Sequence, residues 1–247
     1  MENKPQNPTQ KSSKERLVKA VTAAFFGMTL IEITAEYIQH PLAILCSKPF
    51  LMPLLLLLYF LTSKTRNKLY MVSLVFVWLG NLFLIGKSFD NLVIGAIFFT
   101  LFRILIIYHL LRTVRLPGVL PMIIGCLPFL FLYLFAINLA YDDLGENFYV
   151  FAIQGLFPII FGGIALGAYV FKSNKSNTFL LISMIFFTST QFMFIVKYFY
   201  VSINIFQPVL MLLFVAAHYW LYKFMIAEEN LRHKKNKINL INIKNNS

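Results

Sequence analysis

Apolar runs long enough to cross a hydrocarbon layer of ~30 Å recur along this chain, and short polar segments separate them. The pattern predicts eight helices, over Leu17–Ile38, Pro49–Thr62, Leu69–Gly86, Asn91–Leu111, Val119–Ala140, Phe148–Phe171, Thr178–Tyr198 and Gln207–Ala227. The second run is short for a bilayer, so its helix is expected to start earlier, near Ala43. Residues 1–16 read as a disordered polar leader, 17–227 as the transmembrane domain and 228–247 as a basic cytoplasmic tail. Pro121, Pro128 and Pro158 are expected to kink their helices. The fold class is all-α, a polytopic transmembrane bundle.

Composition agrees: 59% of the 247 residues are hydrophobic and 13% are charged, too few for the surface of a soluble domain of this length. A formal net charge of +12 would suggest nucleic acid in a soluble chain, but here the placement of the cations matters more than their sum. Lys4, Lys11, Lys14 and Arg16, then Lys64, Arg66 and Lys68, Arg112 and Arg115, Lys172 and Lys175, and the Arg232–Lys244 tail all fall on one side. Asp90, Asp142, Asp143 and Glu146 make the other side acidic, where Lys48 and Lys87 are the chief cations. Eight spans with both termini in the cytoplasm satisfy the positive-inside rule, which places the protein in the cell membrane, the inner one in a Gram-negative cell. The tail is read as a solvated topology determinant, and the Gly163/Gly167 pair as a close-packing motif.

Polar side chains inside the apolar runs are the candidate chemistry, because each is costly in hydrocarbon without a partner. Asn81, behind Gly80 in the third run, and Thr190, after Ser189 in the seventh, lie at similar depth. Glu32 and Glu36 share one face of the first helix, and Lys48 starts the second at the same side, so an ion pair is expected there. Arg103, mid-span in the fourth run, needs a partner; His218 lies similarly deep in the eighth, and Lys197 reads as an interfacial side chain. HExxH, GxSxG, P-loop and dinucleotide fingerprints are missing, and His40, His109, His218 and His233 are dispersed. No metal or other cofactor is assigned. Cys46 and Cys126 form no redox motif.

The run Lys48-Pro49-Phe50-Leu51-Met52-Pro53, then Gly80-Asn81 with Leu84, Gly95 and Phe99, Ser189-Thr190 with Lys197-Tyr198, and Phe214–Leu221 resembles the YhhN family of membrane proteins, which includes the lysoplasmalogenases. The resemblance runs from about Ala35 to Met225, and the family's eight-helix topology agrees with the charge pattern. It implies hydrolysis of the vinyl ether bond of lysoplasmalogens to a fatty aldehyde and a glycerophospho-headgroup product. That reaction needs an acid to protonate the vinyl ether carbon and a base to direct water at the oxocarbenium ion, roles that two carboxyl groups suit.

The family pattern supplies these as a Gly-Asp in the third helix and a Ser-Asp in the seventh. This chain departs at both, with Asn81 and Thr190, and carries Arg103 where a histidine and His218 where a glutamine is expected. Neither Asn nor Thr exchanges a proton near neutral pH. The candidate catalytic set is therefore Asn81, Thr190, Glu32, Glu36 and His218, and the candidate substrate-binding set Lys48, Arg103, Ser189 and Gly80. Three functions follow as expectations: a lysoplasmalogenase with a relocated acid, a non-catalytic relative that binds a lysolipid or other amphiphile, or a small-solute transporter. The expected partner is a membrane lipid, not nucleic acid.

Overall fold

In hydrocarbon a backbone must satisfy its own polar groups, and each long apolar run of this chain does so as an α-helix. The computed structural model describes residues 8–86, 88–114, 118–144, 148–199 and 203–245. Lys4, Lys87, Arg115 and Glu146 of the charge pattern lie outside the described residues, as do the side chains of Lys11, Asp142, Asp143 and Lys244.

Among the described residues the chain forms eight helices and no strand: α1 (Pro8–Tyr37), α2 (Pro41–Thr62), α3 (Lys68–Phe83), α4 (Phe89–Thr113), α5 (Val119–Leu144), α6 (Phe148–Phe171), α7 (Lys175–Phe199) and α8 (Phe206–Asn245). Seven are long and apolar enough to cross a membrane on their own, while α3 is the shorter apolar helix. Gln39, Gly86, Ser88, Ile203 and Asn204, from the described parts of the α1–α2, α3–α4 and α7–α8 connections, meet at one end of the bundle, here called distal.

Two ends differ from expectation. Helix α1 already begins at Pro8, within the expected leader, and α8 continues through the basic tail to Asn245. Lys, Glu, Gln and Arg are good helix formers, so a polar stretch joined to an apolar helix extends it without an apolar signal. Pro121 falls in the first turn of α5, where a missing N–H costs no intrahelical bond, whereas Pro128 and Pro158 are interior.

Consecutive helices pair, α1 with α2, α3 with α4, α5 with α6 and α7 with α8, and α8 also packs on α1 and α2. Phe25, Leu51, Leu55, Tyr70, Leu74, Ile106, Leu221 and Phe224 form the buried centre. Leu120, Ile123, Ile124, Leu127, Phe131 and Leu134 of α5 are exposed, the apolar face that a lipid-contacting helix presents. The Gly163/Gly167 pair packs against α5: a Cβ on Gly125 would stand 3.1 Å from the Gly163 carbonyl and 3.5 Å from the Gly167 nitrogen. A Cβ on Gly80 would likewise stand 3.2 Å from the Gly95 carbonyl, so α3 and α4 approach backbone to backbone.

Helix α2 carries Pro49 and Pro53 in its interior. Proline at 53 leaves the Pro49 carbonyl, four residues back, without its helical donor. The indole Nε1 of Trp78 on α3 donates to that carbonyl at 2.8 Å. Replacing Trp78 by Phe is expected to cost about 1–3 kcal/mol, the range for stranding a buried polar group, read as a lowered unfolding midpoint in detergent. An unchanged midpoint would show that the carbonyl is satisfied otherwise.

Candidate functional site

Lys48 lies two turns into α2, beneath the distal end, and its ammonium is buried. The charge is met by two carboxylates on one face of α1: Glu36 Oε1 stands 2.6 Å from Nζ and Glu32 Oε1 3.6 Å. Ser47 donates to the other oxygen of Glu32, and Gln207 Nε2 on α8 donates to Glu36 at 3.1 Å. Lys197 on α7 does not simply reach for the interface; it donates to Gln207. The expected ion pair between α1 and α2 is thus part of a polar chain across four helices.

Below this chain lies a cavity walled by α2, α3, α4, α6, α7 and α8, with about 840 Å³ of unfilled space, its mouth included. Asn81, Thr190, Arg103, His218 and Lys48 all line it, so five of the candidate residues converge from five helices. Phe99, Phe102, Phe187, Phe194 and Phe214 supply much of the remaining wall. Glu32, Glu36, Ser189 and Gly80 do not line it. Lys48 draws the two glutamates to the α1–α2 contact, and Gly80 is spent on the approach to Gly95, which sets Asn81 beside it on the wall.

Arg103 is held by neutral groups. Its Nη1 donates to the carbonyl of Gln154 at 3.2 Å and to that residue's Oε1 at 3.3 Å, and its Nη2 donates to Gln191 Oε1 at 2.6 Å. Gln154 is in turn fixed by donating from Nε2 to the Ala96 carbonyl at 2.7 Å. No carboxylate lies within ion-pair distance of the guanidinium among the described residues. The amides orient the cation without neutralising it, which leaves a fixed positive charge on the wall of a largely apolar cavity.

The other polar wall groups divide by what they offer. Asn81 Nδ2 and Gln191 Nε2 are buried donors with no hydrogen-bond partner among the described residues. Thr190 spends its proton on the Phe186 carbonyl at 2.8 Å, so toward the cavity its oxygen can only accept. His218 stands against the rings of Phe102, Phe187 and Phe214, at centroid distances of 5.2, 4.8 and 4.3 Å. Its Nδ1 lies 2.8 Å from the Phe214 carbonyl, which assigns the proton of the neutral ring to that nitrogen. Nε2 is then a bare acceptor and has no partner among the described residues.

Arg103, Asn81 and Gln191 can therefore receive an anionic oxygen, and His218 a hydroxyl. Among the described residues, the wall carries no carboxyl group able to give a proton to carbon. Sequence reasoning missed Gln154 and Gln191; the signal was there in each case, a lone amide inside an apolar run. No group of three or more His, Cys, Asp or Glu suited to hold a metal ion occurs among the described residues.

No curated protein and no solved structure matches the chain. A model of the YhhN family matches residues 43–225, which takes in every wall residue of the cavity, and the protein belongs to that family of multi-pass membrane proteins.

Proposed function

We propose that this protein binds a lysophospholipid or a similar anionic amphiphile in the cavity without cleaving its ether bond. The observation that carries this reading is Arg103, a guanidinium fixed by three bonds to neutral acceptors and facing the cavity with no counter-charge among the described residues. A phosphate there would gain charge-assisted hydrogen bonds from Arg103 and direct ones from Asn81 and Gln191, in surroundings where water screens little. The phenylalanine wall would take the apolar part. Vinyl ether hydrolysis would need a proton donor to carbon and a base for water, and Asn81 and Thr190 are neither.

Binding of a radiolabelled lysophospholipid to the protein in nanodiscs tests the reading. Arg103→Gln keeps an amide between Gln154 and Gln191 but removes the charge, and is expected to weaken binding roughly 10- to 100-fold, the equivalent of one or two charged hydrogen bonds. Equal affinity of the two proteins would remove Arg103 from the site. A second reading, hydrolysis with His218 as the proton-transfer group, draws on the unpartnered Nε2 in the cavity. It requires aldehyde release that His218→Ala abolishes.

A further inference from the structure

A second, more polar hollow with about 1420 Å³ of space, the open solvent at its mouth included, lies at the distal end, among the described parts of the α1–α2, α3–α4 and α7–α8 connections. Its wall includes Glu36, Gln39, Ser88, Asn204 and Lys197. Four residues, Lys48, Gln207, Leu84 and Leu92, line both this vestibule and the Arg103 cavity, so the two spaces are separated by the thickness of one layer of side chains. That layer is held shut by polar contacts: Lys48 on Glu36 at 2.6 Å, and Gln207 on the same oxygen at 3.1 Å.

Lys48 has a second place to go. Glu32 Oε1 is buried 3.6 Å from Nζ and accepts no hydrogen bond among the described residues. The ammonium can transfer its main contact from Glu36 to Glu32 without losing a counter-charge, and that transfer leaves Glu36 held in the partition by Gln207 alone. An anion crossing the layer would meet Lys48 on its way to Arg103, so the route carries positive charge at both ends.

We infer that the distal vestibule is the water-side port of the cavity, and that Lys48, shared between Glu36 and Glu32, is the gate through which an anionic group passes to Arg103. This rests on the reading of Arg103 as the anion's seat, but port and seat have separate readouts.

The test uses the full chain with Cys46→Ser, Cys126→Ser and Ala96→Cys, which puts one thiol on the cavity wall. In nanodiscs, the rate of modification by an anionic, membrane-impermeant methanethiosulfonate reports access from water. The thiol is expected to react, at least 10-fold faster with Glu36→Gln added, which loosens the hold on Lys48 and leaves its charge on the route, and at least 10-fold slower with Leu92→Trp, which narrows the shared layer and leaves the ionic contacts in place. Reaction with a neutral, membrane-permeant reagent only, or rates indifferent to Leu92→Trp, would overturn the port. Should Glu36→Gln fail to fold, Glu36→Asp draws the carboxylate back from Lys48 and Gln207 and is expected to accelerate modification; no acceleration would overturn the gate. Protection of the thiol by glycerol phosphate, lost in Arg103→Gln, reads the seat separately.

Discussion

Lys48→Met lowers the stability of the protein by about 3–5 kcal/mol, the cost of leaving a buried charge without its partner. Two carboxylates are stranded by this single change, because Glu32 is fully buried, Glu36 nearly so, and Lys48 is the one cation within ion-pair distance of either among the described residues. Ser47 and Gln207 would still donate to them, but two hydrogen bonds do not replace an ammonium in a low-dielectric setting. The check is the unfolding midpoint in detergent, with Lys48→Met/Glu32→Gln/Glu36→Gln beside it. The triple variant carries no buried charge at this place and should recover more than half of the loss. A triple variant as unstable as Lys48→Met would mean that Lys48 acts through packing and not through charge.

The largest expected gain comes from Asn81→Asp with Thr190→Asp. Both residues already line the cavity with Arg103 and His218, so the double substitution puts two carboxyl groups where the sequence resemblance implies them. General acid–base groups contribute about 10²- to 10⁴-fold each, and aldehyde release from a lysoplasmalogen should rise at least 100-fold over the unaltered protein. Thr190→Asp also frees the Phe186 carbonyl from its hydroxyl, a minor cost because that carbonyl belongs to an intact helix. No release by a double variant that still binds lysolipid would place the missing chemistry elsewhere in the cavity.

Much of this architecture can be read from the sequence because the bilayer leaves few choices. Apolar run length marks each helix, the alternation of charged loops fixes their number, and counting from the loops gives each polar residue a depth. Depth sufficed to place Asn81 with Thr190, and Glu36 with Lys48. It does not give the direction in which a side chain points around its helix. Glu32 and Glu36 lie at a suitable depth for a relocated acid, yet Lys48 holds them on the α1–α2 contact instead of the cavity wall. Arg103 announces that it has a partner but not which, and the neutral amides of Gln154 and Gln191 carry no charge pattern to betray them. The bond from Trp78 to Pro49 shows the same limit: Pro53 predicts an orphan carbonyl, but only the packing of α3 on α2 names its donor.

The most direct measurement incubates the purified protein with a lysoplasmalogen and quantifies, by mass spectrometry of the same sample, intact lipid bound and fatty aldehyde released. The expected result is intact lipid retained by the protein and depleted in Arg103→Gln, with aldehyde at the level of a protein-free control. Aldehyde formed over many turnovers by the unaltered protein would contradict it, and show that this cavity cleaves what it binds.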